Sequence, residues 1–206
     1  MQRPALFVIS DGKGNAERLL QTAMTLAPVI DGFMLREKQW TARQMWEWGK
    51  ALLEAGFPPE KLWINDRLDV ALALSAGGVH LAGHSLPVAA ARACVTPPMK
   101  VGVSVHSLDE ALQAADEGAD YVLFGHIFPT PSKPGLPARG LPSLKELVVR
   151  LSIPVLAIGG IHADNVAAVM ETGCAGIAVI SAVLGAPNPL AAAQTIRQRL
   201  HAACSP

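Results

Sequence analysis

Short apolar segments recur along the chain at regular intervals, and this alternation restricts the fold more than any other feature. The segments are ALFVI (5–9), GFMLR (32–36), KLWIN (61–65), GVHL (78–81), KVGVS (100–104), DYVLF (120–124), PVLAI (154–158) and GIAVI (176–180). Nearly all of their residues are apolar, with no strict alternation of apolar and polar positions, which is typical of parallel strands buried on both faces. The sequence therefore predicts eight strands that are covered on both sides.

Helical patterns separate these strands, over residues 16–26, 41–55, 66–74, 87–93, 108–117, 141–151, 163–172 and 189–203. Asn15, Thr41, Asn65 and Ser107 are predicted to cap the helices that follow them. Alternating strands and helices also suit an open doubly wound sheet. Eight units within 206 residues, with no G-x-G-x-x-G after the first strand, favour a closed barrel. We predict an α/β protein in which residues 1–206 form one single-domain (β/α)8 TIM barrel.

The composition indicates in which compartment and with which partners such a barrel would function. Lys+Arg and Asp+Glu balance at 17 each, so no net charge attracts nucleic acid or an anionic membrane. The three cysteines are scattered and match no zinc pattern, which favours a reducing compartment. The apolar run near the N-terminus is too short for a signal peptide or a membrane span. We expect a cytoplasmic protein with no nucleic-acid or membrane partner.

Barrel active sites form at the carboxyl ends of the strands, so the polar residues at those ends are the candidate site. They are Arg36 and Lys38 after strand two, Asn65 and Asp66 after strand three, His80 and His84 around strand four, and Ser104 and His106 around strand five. A fixed cation such as Arg36 suits a carboxylate or a phosphate. His80 and His106 are more typical of hydrogen-bonded core histidines, and His84 of a loop residue.

Two strand ends carry a pattern that favours anion binding. Gly159 and Gly160 follow strand seven, and Ile180 and Ser181 follow strand eight. The glycines are explained equally by a tight turn. Ahead of helix N-termini, however, backbone N–H groups bind anions, and barrels often hold phosphate in these two loops. We predict a phosphate site at Gly159, Gly160, Ile180 and Ser181.

His126 follows strand six directly and precedes the proline-rich stretch IFPTPSKPGLPARG (127–140). The imidazole could carry a proton, because histidine titrates near neutrality, or it could be a polar residue at the end of a strand. Thr130, Ser132 and Lys133 lie in the same stretch, which could cover the mouth of the barrel. We expect these three residues to contact substrate.

These residues together resemble the thiamine phosphate synthase and TenI superfamily over nearly the whole chain. The matching blocks are LREK (35–38), INDRLDVALALSAGGVHLAGHSLP (64–87), VGVSVHS (101–107), GADYVLFGHIFPTPSKPG (118–135), PVLAIGGI (154–161) and AGIAVISAV (175–183). The resemblance implies a (β/α)8 barrel that binds a thiazole phosphate.

Three positions depart from the synthase pattern. Met34 stands where synthases carry Gln, Ser85 stands where they carry an aspartate that helps to bind Mg²⁺, and His126 stands where they carry proline. A Gly–His pair at the last position is similar to the TenI branch. We therefore expect a TenI-like thiazole tautomerase that aromatises the thiazole phosphate carboxylate tautomer. His126 would be the catalytic residue, Arg36 and Lys38 would hold the carboxylate, and no metal or cofactor would be needed.

Two alternatives remain open. The first is a thiamine phosphate synthase, which would couple hydroxymethylpyrimidine diphosphate with thiazole phosphate and would use Mg²⁺ on Asp66. The second is a non-catalytic barrel that binds a thiamine-pathway ligand and regulates another process. The tryptophan-bearing second helix leaves a homodimer open.

Overall fold

The computed structural model describes residues 3–13, 15–130, 133 and 135–204, and its strands close into a barrel. The strands are β1 (Ala5–Ile9), β2 (Gly32–Leu35), β3 (Leu62–Asn65), β4 (Gly78–Leu81), β5 (Lys100–Val105), β6 (Tyr121–Gly125), β7 (Val155–Ile158) and β8 (Gly176–Val179). Each strand pairs in parallel with the next, and β8 pairs in parallel with β1. The predicted (β/α)8 fold is confirmed.

Helices cover the outside of the barrel. They are α1 (Ala16–Leu26), α2 (Ala42–Glu54), α3 (Leu68–Leu74), α4 (Val88–Cys94), α5 (Leu108–Asp116), α6 (Gly140–Arg150), α7 (Val166–Met170), α8 (Ser181–Leu184) and α9 (Pro189–Cys204). A 3₁₀ turn at Pro59–Lys61 and the short helix α8 were not predicted as separate elements. No helix in the described part of the chain is long and apolar enough to span a bilayer.

Helix starts were predicted correctly where the signal is local. The side chains of Asn15, Thr41 and Ser107 each accept a backbone N–H from the first turn that follows. The predicted cap at Asn65 is wrong, because α3 begins only at Leu68, with no side-chain cap. Asp66 has a left-handed backbone, with φ of 69°, which turns the chain away before the helix begins.

The barrel contains a core of its own inside the ring of strands. Its buried members are Phe7, Ile9, Met34, Trp63, Tyr121, Leu123, Leu156 and Ala178. The large rings fit because glycines face them: a Cβ on Gly78 would lie 2.2 Å from the Trp63 ring, and one on Gly102 would lie 2.0 Å from the Tyr121 ring. Trp63 and Tyr121 pack edge to face, with ring centroids 5.4 Å apart. These rings fill the inside of the barrel beneath the ligand-sized cavity.

Helix α9 is joined to the start of the first two strands by a partly buried ion pair. Arg197 donates to the carbonyls of Pro4 (2.8 Å) and Val29 (3.0 Å) and forms a short ion pair with Asp31. Burial of Asp31 opposes its ionisation, but the Leu6 amide and the Arg197 guanidinium outweigh burial and hold the pKa of this carboxyl below its usual value.

Candidate active site

A cavity of about 1270 Å³ opens at the carboxyl ends of the strands. The predicted site residues that line it are Arg36, Lys38, Asn65, Asp66, Ser104, His126, Thr130, Lys133, Gly159, Gly160, Ile180 and Ser181. Ser132 lies outside the described residues. The fold thus brings together residues from six of the strand ends, while the function assigned to each of them stays a prediction.

Cationic side chains line the cavity after two of the strands. Arg36 and Lys38 follow β2, and Lys133 belongs to the β6–α6 loop. The backbone N–H of Arg36 donates to the hydroxyl of Ser10, which is fully buried, at 2.7 Å. This contact fixes the point at which the chain leaves β2. The cavity can therefore attract an anionic ligand to these cationic side chains.

The glycine turn after β7 is required by both backbone conformation and packing. Gly159 and Gly160 have φ of +100° and +67°, which favours glycine. A Cβ on Gly159 would lie 2.3 Å from that of His126, and one on Gly160 would lie 2.7 Å from the carbonyl oxygen of Pro129. Ser181 begins α8 nearby on the cavity lining and is exposed. The turn therefore packs directly against the β6–α6 loop.

His126 is buried at the edge of the cavity and is bonded to the loop that it precedes. Its Nε2 lies 3.2 Å from the carbonyl oxygen of Leu136, and its own carbonyl accepts the backbone N–H of Arg139 at 2.9 Å. An imidazole N–H donating to Leu136 holds the loop against the strand end. Sequence reasoning missed Leu136, because nothing in a run of prolines indicates which carbonyl turns inward.

A second histidine forms a buried row of hydrogen bonds below the cavity. His80 Nδ1 lies 2.9 Å from the Tyr121 hydroxyl, and Nε2 lies 2.8 Å from Ser104 Oγ. Burial, and after it the nearby charge of Arg36, lowers the pKa of His80 to about 3, so the ring is neutral. The sequence did not single out Tyr121, although Gly102 on the neighbouring strand makes room for its ring.

Ser85 and His84 lie beside the carboxylate of Asp66. Ser85 donates its hydroxyl to Asp66 Oδ1 at 2.5 Å, and His84 Nε2 lies 3.4 Å from Oδ2. His106 is directed elsewhere, with Nδ1 3.2 Å from the Gly125 carbonyl oxygen. In the described ranges, no three His, Cys, Asp or Glu residues are grouped so that they could hold a metal ion. Asp66 is therefore a single oriented carboxylate.

The sequence of this chain matches a known protein family and several curated proteins. Residues 5–183 match the family described as thiamine monophosphate synthase. The chain belongs to this family. A curated thiamine-phosphate synthase of Chlorobium phaeovibrioides is 44% identical over 196 residues, covering 94% of this chain and 93% of its own. One from Roseiflexus sp. (strain RS-1) is 43% identical over 199 residues, covering 93% and 83%.

A solved structure supports the same family. The thiamine phosphate pyrophosphorylase from Pyrococcus furiosus superposes with a TM-score of 0.85 at 36% identity, covering 98% of both chains. The predicted superfamily is confirmed, and the chain is an enzyme. A non-catalytic regulator is therefore not supported.

The prediction of a TenI-like thiazole tautomerase, an isomerase, is wrong. Relatives 38–44% identical over 92–96% of the chain are named thiamine-phosphate synthase. That prediction depended on three substitutions, and each has a structural role. Met34 is buried in the inner core, Ser85 bonds to Asp66, and His126 bonds to Leu136. Because each of the three residues has such a contact, none of them indicates a tautomerase by itself.

Proposed function

We propose that this enzyme is a thiamine-phosphate synthase, a transferase that joins hydroxymethylpyrimidine diphosphate to thiazole phosphate and releases diphosphate. The observation that carries the proposal is the name shared by relatives such as the Chlorobium protein, which aligns with 94% of this chain. The cavity supports it further, since it combines a cationic side with a glycine turn.

The reaction itself requires little acid–base chemistry. The lone pair of the thiazole nitrogen forms a bond to the pyrimidine methylene carbon, while the bond from that carbon to the diphosphate oxygen breaks. The ring becomes a thiazolium cation, the electron pair leaves with diphosphate, and no proton moves. A buried His126 bonded to a carbonyl is consistent with such a reaction, because the coupling needs no proton carrier.

The chain's own groups divide between the two anions. The turn at Gly159 and Gly160, with Ile180 and Ser181, would hold the phosphate of the thiazole through backbone N–H groups. Arg36, Lys38 and Lys133 would bind the diphosphate, where positive charge stabilises the leaving group as it departs. Asn65, Ser104 and Thr130 would offer hydrogen bonds to the substrates. Ser132, which lies outside the described residues, stays a predicted substrate contact.

Mg²⁺ fits the donor set if the substrate supplies most of its ligands. Magnesium is commonly held by one or two carboxylates together with substrate phosphates and water. Asp66 lines the cavity as one carboxylate, and the Ser85 hydroxyl orients it. Asp66 would therefore hold the ion, which when bound neutralises charge on the diphosphate. The expectation of no cofactor belonged to the tautomerase interpretation.

A coupling assay tests the proposal. Purified enzyme, both substrates and Mg²⁺ should produce thiamine phosphate, which can be measured by fluorescence after oxidation to a thiochrome. Arg36→Ala should lower the rate strongly, since it removes charge from the cavity. Lys145→Ala removes an exposed charge on α6 away from the lining and should leave the rate unchanged. Folded wild-type enzyme that releases no thiamine phosphate above the rate without protein would refute the proposal.

A further inference from the structure

A row of three side chains connects the inner core to the cavity. Tyr121 is buried in the aromatic core, His80 is 1% exposed, and Ser104 is partly exposed on the cavity lining. The three come from neighbouring strands β6, β4 and β5, and the two hydrogen bonds between them measure 2.9 and 2.8 Å. The row therefore ends at a hydroxyl that can meet a ligand.

The direction of the first hydrogen bond follows from the surroundings of Tyr121. Its ring packs against Phe7 and Trp63 and over Gly102, so apolar groups surround it. Burial raises the pKa of the phenol above its usual range, so the hydroxyl keeps its proton. Within the described chain, His80 Nδ1 is the acceptor within reach of that proton. A buried donor without an acceptor is strongly unfavourable, so the tyrosine donates to Nδ1.

The direction of the second bond follows from the first. A neutral imidazole carries one proton, on either Nδ1 or Nε2. Because Nδ1 accepts from Tyr121, the proton of His80 is on Nε2 and is donated to Ser104 Oγ. The reverse order would leave the tyrosine proton facing apolar rings. The hydroxyl proton of Ser104 is consequently not used by His80.

We propose that Tyr121 and His80 are positioning residues that hold Ser104 as a hydrogen-bond donor to the substrate, so that the cavity selects an acceptor atom at this point. The identity of that substrate rests on the proposed synthase function, and the acceptor would be an unprotonated ring nitrogen or a phosphate oxygen. The orientation of the row does not depend on the function.

The tautomer of His80 can be measured directly in the folded enzyme. With ¹⁵N-labelled histidine, long-range ¹H–¹⁵N correlation spectra distinguish the two neutral tautomers, and His80→Gln identifies the His80 signals. We expect the Nε2–H tautomer in wild-type enzyme at pH 7. The Nδ1–H tautomer would overturn the proposal, whatever reaction the enzyme catalyses.

Kinetics of the coupling reaction then test the consequence for the ligand. Ser104→Ala should raise the KM for one of the two substrates by about three- to tenfold, the range expected for one hydrogen bond. Tyr121→Phe should raise the same KM, and Tyr121→Phe in the Ser104→Ala background should add nothing, because no hydroxyl remains to be oriented. Additive effects would overturn the proposal.

A matched variant separates positioning from packing. Trp63→Phe changes a ring that packs edge to face against Tyr121 but removes neither hydrogen bond of the row. It should lower the melting temperature while leaving KM unchanged. If Tyr121→Phe does the same, its role is structural only and the proposal fails. If Tyr121→Phe does not fold, the tautomer measured in wild-type enzyme decides whether the proposal holds. If wild-type enzyme shows no coupling activity, the synthase function is refuted, but the tautomer result still tests the orientation of the row.

Discussion

Ser181→Asp places a carboxylate at the first residue of α8, beside the glycine turn that we propose holds the thiazole phosphate. Ser181 is exposed and α8 begins with it, so the new side chain needs no space in the core. Gly160→Asp would be a poor test of the same idea, because any Cβ there would lie 2.7 Å from the Pro129 carbonyl oxygen. The serine position therefore changes the charge without forcing the turn to move.

The size of the effect follows from Coulomb's law. Two unit charges about 4 Å apart repel by about 1 kcal/mol in bulk water and about 4 kcal/mol near a protein surface. For an exposed position we take about 2 kcal/mol, which corresponds to a roughly 30-fold weaker affinity for a phosphate. Acidic residues stabilise helix N-termini, so the melting temperature should not fall.

The assay measures KM for each substrate separately, with Ser181→Asn as the uncharged control of similar shape. Ser181→Asp should raise the KM for thiazole phosphate, and Ser181→Asn should change it by much less. Equal effects of the two variants would show that charge at this position is not felt by the substrate. A rise in the KM for the pyrimidine diphosphate instead would show that we have assigned the two anions to the wrong ends of the cavity.

Three further perturbations are informative. EDTA should abolish coupling, and added Mg²⁺ should restore it. Asp66→Asn should raise the Mg²⁺ concentration needed for half-maximal coupling. Coupling that survives chelation would remove the metal from the proposal. His126→Asn should speed hydrogen exchange in the β6–α6 loop and change kcat by less than about threefold, whereas a loss of about 100-fold would indicate an acid–base group. The folded pKa of Asp31 lies below its unfolded value, so its stabilisation is complete above the unfolded pKa and is lost as pH falls through the folded pKa. Arg197→Ala should therefore lower the melting temperature at pH 7 and flatten its decline below pH about 4.

The fold could be predicted because its signals are local. Strands that are apolar at nearly every position indicate burial on both faces, and helices between them indicate parallel pairing. The caps at Asn15, Thr41 and Ser107 depend on residues only three positions away. The cap at Asn65 failed because the left-handed backbone of Asp66 depends on its place at the end of β3, where its N–H donates to the His80 carbonyl.

The superfamily followed from the resemblance of several sequence blocks. The candidate residues followed from strand order, because the carboxyl ends of the strands meet on one face of a closed barrel. The branch did not. Met34, Ser85 and His126 suggested a change of chemistry, but relatives 38–44% identical are named thiamine-phosphate synthase, and in the structure the three residues contact the inner core, Asp66 and Leu136.

Sequence alone thus determined which strands form, their order in the barrel and the end at which the cavity opens, since all three depend on short-range patterns. Tertiary structure decided what each polar side chain touches. His80 meets Tyr121, which is 41 residues away, and Ser104, which is 24 residues away. Such contacts arise only when closure of the barrel sets the register of neighbouring strands, and no short segment encodes that register by itself.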